Sequence, residues 1–423
     1  MKILYDLGIY FYYIFIRIGR IGFSKARLWI DGRKNWQQRL VEARDMSRPC
    51  IWFHCASLGE FEQGRNLIEA IREHAPHYQL ILSFFSPSGY EIRKNYAHVD
   101  HVCYLPLDTA ANARNWVQLL QPEMVFVVKY ELWLNLFGEL KKKKIPLMLV
   151  SARVRKTGNP YSNMIRKRLY QLAFSACTHI FAQDEQSAAD IQAISPDAAV
   201  SVSYDTRFDQ VWSTREAHTD IPELAAFKKE RLCIVCGSTW PRDEALLFGA
   251  YTKLKETVDL CLVIAPHEIH QARINKWTAA FPQESIRFSD IDQLSDQDRI
   301  LWIDNIGMLS RLYAYADIAL IGGAWKKKVH NILEAVVFGC PVIFGPNHQN
   351  LPEATDLIRL GGAHSVNNES ELLLCLDDLL RSADQRAKIR DVHTDFVKER
   401  LGATEFILNW CKKAGFLTST EPI

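Results

Sequence analysis

In a chain of 423 residues, the segments equipped for chemistry set a carboxylate, a cation or paired glycines directly after a short apolar run. The first is His54-Cys-Ala-Ser57-Leu-Gly59-Glu60. Glu60 falls in the first turn of a predicted helix, where the helix dipole favours a carboxylate, and Gly59 permits a tight turn before it. Two roles fit that acid: a residue that merely starts a helix, or a general base that accepts a hydroxyl proton. Ser86-Pro-Ser-Gly89 is either a plain turn or a loop whose N–H groups hold an anion. Lys129-Tyr130-Glu131-Leu-Trp133 and Ser151-Ala-Arg153 bring charge and aromatic rings to two more strand ends. Charge is expensive to bury there without purpose. Arg155, Lys156, Arg166, Lys167 and Arg168 form a solvated helix face or a seat for an anionic, phosphorylated acceptor.

The second half carries a different chemistry. Gly237-Ser238-Thr239 and Pro266-His267 follow apolar runs, and Ala316–Ile321 ends in Gly322-Gly323, then Lys326-Lys-Lys328, His330-Asn331-Ile332-Leu333 and Glu334. Glycines let a backbone approach a phosphate, a helix starting near Asn331 offers free N–H donors, and the lysines add charge. Glu334, one turn in, is placed to accept hydrogen bonds from ribose hydroxyls. Gly345-Pro-Asn-His348 completes the rim. Walker A and Gly-x-Gly-x-x-Gly patterns are absent, which argues against a P-loop kinase and a dinucleotide enzyme. A nucleotide in one half, a carboxylate in the other and cations around them point to transfer from a nucleotide-activated donor.

These loops need strands to hold them. Candidate strands at 51–54, 80–84, 102–105, 124–128, 146–150 and 180–182 alternate with helix-length amphipathic stretches. The pattern restarts at 232–236, 260–264, 300–303, 318–321 and 341–344. Alternation of this kind predicts an α/β protein with two doubly wound, Rossmann-like parallel sheets, whose ligand-binding rims face each other across a cleft. The expected boundaries are a membrane-associated helix over 1–30, a first domain over 31–210, a linker over 211–230, a second domain over 231–395, and a final helix over 396–423 that packs back on the first domain.

Composition agrees with a folded, two-domain chain. Hydrophobic residues make up 48% and charged residues 24%, which excludes disorder and a multi-span membrane protein. The net charge of +2 gives no reason to expect nucleic acid, but residues 1–48 hold ten Lys and Arg against four Asp and Glu, a local surplus of six. Ten scattered cysteines suit a reducing compartment, and Cys233 with Cys236 reads as part of a buried strand rather than a metal or redox pair. Residues 3–16 are almost wholly apolar apart from Asp6, and Arg17, Arg20, Lys25, Arg27, Arg33 and Lys34 follow. The run is short for a bilayer span and its charge comes after it, so neither a spanning helix nor a removed signal peptide fits. A buried first helix is one reading. A helix lying on an anionic membrane, with the body on the cytoplasmic side, is favoured because each flanking cation gains about 1 kcal/mol there.

With these residues in view, the chain resembles the family of 3-deoxy-D-manno-octulosonic acid (Kdo) transferases over nearly its whole length. Trp52-Phe-His-Cys-Ala-Ser-Leu-Gly-Glu60 looks like the family's Trp-x-His-x-x-Ser-x-Gly-Glu, Tyr104-Leu-Pro-Leu-Asp108 like Tyr-x-Pro-x-Asp, and Glu131-Leu-Trp133 with Asn135 like Glu-Leu-Trp-Pro-Asn. Ser151-Ala-Arg153, Phe208-Asp209, Ser238-Thr239, His267, Gly322-Gly323, His330-Asn331, Glu334, Gly345-Pro346, His348 and Asn350 follow in the family's order. The resemblance implies a GT-B architecture and a metal-independent, inverting transfer of Kdo from CMP-Kdo to a hydroxyl of the phosphorylated lipid A precursor in lipopolysaccharide synthesis at the inner membrane. It implies no cofactor beyond that donor substrate. Glu60 would be the base, and Lys129, Glu131 and Arg207 would stabilise the transition state. Ser238, Thr239, Pro266, His267, Gly307, Gly322, Gly323 and Asn331 to Glu334 would hold CMP. Ser57, Gly59, Ser86, Arg153, Arg166 and Lys167 would meet the acceptor.

The chain departs from the family at Lys129, where an acid is usual, at Asp205-Thr-Arg-Phe-Asp209 in place of Asn-Leu-Lys-Phe-Asp, at Ala265-Pro-His267 in place of Pro-Arg-His, and at Lys328-Val329 in place of glycines. Fold alone also permits another nucleotide-sugar enzyme, such as an epimerase or an N-acetylglucosaminyl transferase, or a membrane-tethered nucleotide-binding module without activity.

Overall fold

The computed structural model describes residues 2–129, 131–154, 164–349 and 351–417; Tyr130, Arg155, Lys156 and Asn350 lie outside them. The chain divides into two units, Met1–Gln210 with Arg400–Ile423, and Val211–Glu399.

In the first unit, β1 (Cys50–Cys55), β2 (Gln79–Phe84), β3 (His101–Tyr104), β4 (Met124–Val128), β5 (Leu147–Ala152), β6 (His179–Ala182) and β7 (Val200–Val202) form one parallel sheet in the order β3-β2-β1-β4-β5-β6-β7. The strand order reverses between β1 and β4, so a crevice opens at their carboxyl ends. Both faces of the sheet are covered, which is why its central strands read as unbroken apolar runs. Alternation along β1 sends Cys50 and Trp52 to one core layer with Trp116 and Leu140, and Ile51, Phe53 and Cys55 to the other with Phe61 and Phe126.

The second unit repeats the plan with β8 (Leu232–Thr239), β9 (Leu260–Pro266), β10 (Ser285–Arg287), β11 (Ile300–Trp302), β12 (Ile318–Ile321), β13 (Val342–Phe344) and β14 (Ala363–Ser365). Their order is β10-β11-β9-β8-β12-β13-β14, again all parallel, with the reversal between β8 and β12. The sequence reading missed β7, β10 and β14. Each is three residues long and sits at a sheet edge, where a strand is paired on one side only and need not be apolar throughout.

Residues 211–230 are not a plain connection. A helix, Arg207–Glu216, crosses the unit boundary, and a second, Pro222–Lys228, buries Leu224 and Phe227. Helices this short show little periodicity, which is why the segment read as a linker. The final helix expected from residue 396 onward is likewise two elements: Ala383–Lys398 ends in the second unit, Gly402 adopts φ +92°, and Ala403–Lys413 belongs to the first. Ile407, Leu408 and Cys411 of this last helix enter the layer of Phe53 and Phe61. Asp209 fixes its start, accepting from Gly402 N (2.8 Å) and Thr404 N (2.7 Å).

The amino-terminal segment forms helices Lys2–Gly19, Ser24–Asp31 and Trp36–Ala43. The first is docked by its polar residues. Tyr5 Oη donates to Asp108 Oδ2 at 2.6 Å, and Asp6, which looked like an interruption, accepts from Asn135 Nδ2 at 2.7 Å. Asp108 also receives the backbone N–H groups of Asn135 (3.1 Å) and Leu136 (2.9 Å), so it caps the helix Leu134–Lys142 from a distant loop. Burial pushes the Asp108 carboxyl up to about 6 despite these donors. Arg33, expected at a lipid surface, is instead built into the fold. Its guanidinium donates to the carbonyls of Leu105 (2.8 Å), Trp29 (2.9 Å) and Phe85 (2.7 Å) and lies 3.7 Å from the Trp29 ring centroid. No helix among the described residues is long and apolar enough to cross a membrane.

Asp108→Ala should strand three donors and cost about 3 kcal/mol or more, whereas Tyr5→Phe should cost about 1 kcal/mol. Denaturant melts measure both, and proteolysis within residues 2–19 should accelerate in the Asp108 variant well before global unfolding.

Candidate functional site

The rim of the first unit is assembled from the carboxyl ends of β2, β1, β4 and β5, with the loop after β7. Trp52 and His54 of the first motif are core residues. Trp52 Nε1 donates to Ser83 Oγ (2.8 Å), which also bonds His54 Nδ1 (2.9 Å), and burial pushes the His54 imidazole down to about 3, so it is neutral at ordinary pH. The motif turns outward at Ser57, which precedes the helix Leu58–His74. Glu60 sits in its first turn, half-buried, and the Ser57 hydroxyl donates to its carboxylate. Ser57-x-x-Glu60 has capping-box spacing, but the Ser57 side chain caps no backbone N–H; it holds the acid instead. Gly59 is not a turn glycine. It lies inside the helix, and a Cβ there would meet only Ser57 Oγ, at 3.8 Å, so its missing side chain leaves open space beside Glu60.

One turn along from Glu60, Gln63 is fully buried and donates to Asp205 Oδ2 at 2.8 Å. The same oxygen accepts from Arg207 Nη2 (2.9 Å) and Nε (3.1 Å). Burial alone would raise the Asp205 carboxyl, yet the charge and hydrogen bonds of Arg207, with Lys129 next, hold it at about 2. The structure therefore gathers Lys129 and Arg207 around one buried acid tied to the helix of Glu60. Asp205 was missed as a site residue because Gln63 and Lys129, which tie it to the rest of the rim, lie far away in sequence. It also accounts for two departures together: where an acid is replaced by Lys129, a neutral residue is replaced by Asp205.

Lys129 (φ +74°), Ser151 (φ +50°), Tyr204 (φ +66°) and Ser238 (φ +53°) adopt left-handed backbone at or just beyond strand ends. Such residues cost about 1–3 kcal/mol each and cluster at working sites. Glu131 is half-buried, and Trp133 packs between His54 (5.7 Å) and Phe85 (4.7 Å). Ser86 caps the helix Pro87–Arg93 by accepting from Ser88 N. Arg153 is half-buried just past β5. Arg166 and Lys167 lie near the start of the helix Met164–Phe174, which follows β5 and so begins at the rim side, with Arg166 5.8 Å from the Tyr170 ring centroid.

The second unit's rim draws on β9, β8, β12 and β13, neighbours in that order. Asp243 is its hidden organiser: one buried oxygen accepts from Trp240 N and Gly323 N, both at 2.8 Å, and so joins the loops after β8 and β12. Gly322 is needed because a Cβ would fall 2.3 Å from Ser238 O and 2.6 Å from Asp243. Gly323 is needed for its φ of +98° and its approach to Lys328 O and His330. These glycines let the loops after β8 and β12 converge, a reason additional to the close approach to phosphate that the sequence suggested. Thr239 Oγ1 donates to buried Glu244 (2.9 Å), and the Thr239 carbonyl accepts from His267 N (3.0 Å). Gly307 (φ +98°) makes an exposed turn after β11.

The helix expected near Asn331 is the short Leu333–Val336. Asn331 stands just ahead of it, accepting from Leu333 N (3.2 Å) and donating to Glu334 Oε1 (2.9 Å). Trp240, His267 and His330 form a stack, with centroid separations of 4.8 and 4.3 Å, and Lys327 Nζ lies 3.6 Å from the Trp240 ring centroid. Trp240 Nε1 meets His330 Nε2 at 3.1 Å. An indole N–H can only donate, so His330 is neutral with its proton on Nδ1. Burial, then His267 and Lys327, push its imidazole down to about 4. A cavity of about 580 Å³ lined by Tyr251, Lys255, Asp259 and Arg299 lies at the amino end of β9, away from this rim. Among the described residues, no group of three or more His, Cys, Asp or Glu is placed to hold a metal ion.

Residues 34–210 match the family described as 3-deoxy-D-manno-octulosonic-acid transferase (kdotransferase). A 3-deoxy-D-manno-octulosonic acid transferase of Haemophilus influenzae is 26% identical over 372 residues, covering 86% of each chain. One of Aquifex aeolicus is 25% identical over 346 residues, 81% of this chain and 88% of its own. The fold is similar to the crystal structure of UDP-GlcNAc 2-epimerase from Neisseria meningitidis bound to UDP-GlcNAc, with a TM-score of 0.61, 13% identity, and 86% of this chain and 100% of that one covered. The fold class is the expected one, two parallel-sheet α/β units of the GT-B kind.

Trp240→Phe removes the N–H donor to His330 Nε2 while keeping the stack. A lowered pKa means the neutral arrangement is fully present above about 6.5 and lost as pH falls through about 4. Histidine NMR titration should find a midpoint near 4 for His330, moving upward in the variant; an unmoved midpoint would show that the bond does not hold the ring.

Proposed function

Since the chain is similar over most of its length to Kdo transferases, and residues 34–210 match that family, we propose that it is a glycosyltransferase moving Kdo from CMP-Kdo to a hydroxyl of a phosphorylated lipid A precursor, with inversion. The observation that carries this reading is Glu60: a half-buried acid held by Ser57, beside open space at Gly59, one helical turn from the Gln63–Asp205–Arg207 network.

In the proposed reaction the acceptor oxygen attacks the anomeric carbon of Kdo as the bond from that carbon to the phosphate oxygen breaks. CMP leaves with the bonding electrons, and the hydroxyl proton passes to Glu60. Lys129 and Arg207 supply positive charge toward the phosphate oxygens, and Glu131 supplies negative charge toward the oxocarbenium-like sugar. Asp205 would keep the Arg207 fork in one orientation without itself taking a proton, since it stays ionised at ordinary pH. Ser238, Thr239, Pro266, His267, Gly307, Gly322, Gly323 and the Asn331–Glu334 segment form the proposed CMP seat, with Glu334 on the ribose and Ile332 and Leu333 holding the segment in the core. Ser86, Arg153, Arg166 and Lys167 would meet the phosphorylated acceptor. This chemistry asks for no cofactor beyond the donor.

We further propose that the helix Lys2–Gly19 attaches the protein to the cytoplasmic face of the inner membrane. Its outward side exposes Leu4, Leu7, Phe11, Ile14, Phe15 and Ile18, apolar surface that water disfavours and a bilayer interface accepts.

Glu60→Gln should lower transfer from CMP-Kdo by about 100-fold or more while leaving CMP binding intact. Transfer at the wild-type rate would remove the assigned base, and turnover of UDP-GlcNAc in its place would favour an epimerase. Phe11→Glu with Phe15→Glu should shift the protein from the membrane pellet to the supernatant with its thermal melt unchanged. Unchanged sedimentation would refute the attachment face.

A further inference from the structure

A cavity between the amino-terminal helices and the body of the first unit has no part in the transfer described above. It measures about 540 Å³, and Arg17, Arg20, Arg33 and Lys34 line it together with Trp29 and Trp36. No Asp or Glu is among its lining residues. The neighbouring carboxylate is Asp31, outside the cavity, which pairs with Arg20 (3.1 Å) and Lys34 (2.7 Å). Among the described residues no carboxylate pairs with Arg17, which lies over the Tyr13 ring at 5.5 Å, or with Arg33. Arg33 spends three of its five N–H donors on main-chain carbonyls and keeps a positive charge at the cavity wall. Four cations facing one shared hollow, with one acid nearby, is an arrangement that an anion would stabilise.

The first helix says what kind of anion. Tyr10, Tyr13, Arg17 and Arg20 recur at spacings of three and four and form one stripe, the one that faces the cavity. The next stripe round the helix is Leu4, Leu7, Phe11, Ile14 and Ile18, all exposed. A headgroup in the hollow would have its acyl chains beside that apolar stripe, while tyrosines and tryptophans occupy the boundary, as they do at membrane interfaces. We propose that this cavity is a one-to-one site for the phosphate headgroup of a membrane lipid, separate from the transfer centre. The site rests on the membrane attachment proposed above and makes it specific: a bound lipid rather than a charged surface alone. It also adjoins the acceptor rim. Arg33 donates to the carbonyl of Phe85, the residue before Ser86, and Trp29 packs edge-on to the Phe85 ring at 5.5 Å.

The test uses the full chain and dihexanoylphosphatidylglycerol, below its micelle concentration, followed by calorimetry. Saturable binding of one lipid per chain is expected, weakened at least tenfold by Arg17→Gln with Lys34→Gln and unchanged by Arg27→Gln, which removes an exposed cation off the cavity. Arg33 is left alone because it holds the fold. Equal weakening by Arg27→Gln would mean diffuse surface charge and overturn the site. Inorganic phosphate binding as tightly as the lipid would make it a free-anion site. Competition by an acyl-free glucosamine disaccharide bisphosphate at the same concentration would make it part of the acceptor site. Either result overturns the lipid assignment. Kdo transfer to detergent-dispersed acceptor should survive in the cavity variant, and Glu60→Gln should still bind the lipid, so failure of one proposal is distinguishable from failure of the other.

Discussion

A parallel sheet covered on both faces has no room for charge along its strands. β1, β4, β8 and β12 carry no Asp, Glu, Lys or Arg, so charge begins only where the strand stops, and at that edge water, helix starts and loops compete for the same space. Both units of this protein are shaped by that exclusion. Their charged residues collect after the strands, and each rim is then fixed by a carboxylate taken out of water: Asp205 in the first unit and Asp243 in the second. A buried carboxylate is tolerable only when donors surround it, so it dictates where several loops must go. Asp205 fastens Arg207 to the helix of Glu60. Asp243 fastens Trp240 to Gly323.

Asp108 applies the same rule away from either rim. It collects the Tyr5 hydroxyl and two backbone N–H groups, and with Asp6 and Asn135 it makes the first helix part of the unit on one side while the other stays apolar and exposed. Polar docking on one face and open apolar surface on another are thus properties of a single 18-residue helix.

Much of this was legible in the sequence. Met124–Val128 and Ile318–Ile321 were bounded correctly because a strand buried on both faces is a run of apolar residues and little else. The rim loops followed from the same reading, since the residues after such runs are where chemistry can go. The edge strands β7, β10 and β14 were not legible, being short and half-covered. Asp205, Asp243 and Trp240 were overlooked for a different reason: each acts through a partner that the fold brings from far along the chain or from another loop, and no spacing rule encodes that. Gly59 was noticed but given the wrong physical cause, and the crowding that requires Gly322 and Gly323 was not foreseen, because a sequence shows that a side chain is missing and not what would have collided with it.

The return of the chain at Gly402 has a kinetic consequence. The layer that holds Phe53 and Phe61 is closed by Ile407, Leu408 and Cys411, so the first unit is completed by the last helix, with all of Val211–Glu399 made in between. At about 5–20 residues per second, a ribosome needs roughly 10–40 s to produce that insertion. During that interval the first unit can form its sheet but must leave one apolar layer uncovered. A nascent chain of this protein therefore spends much of its synthesis with a patch that a chaperone, or a neighbouring chain, could occupy before its own final helix arrives.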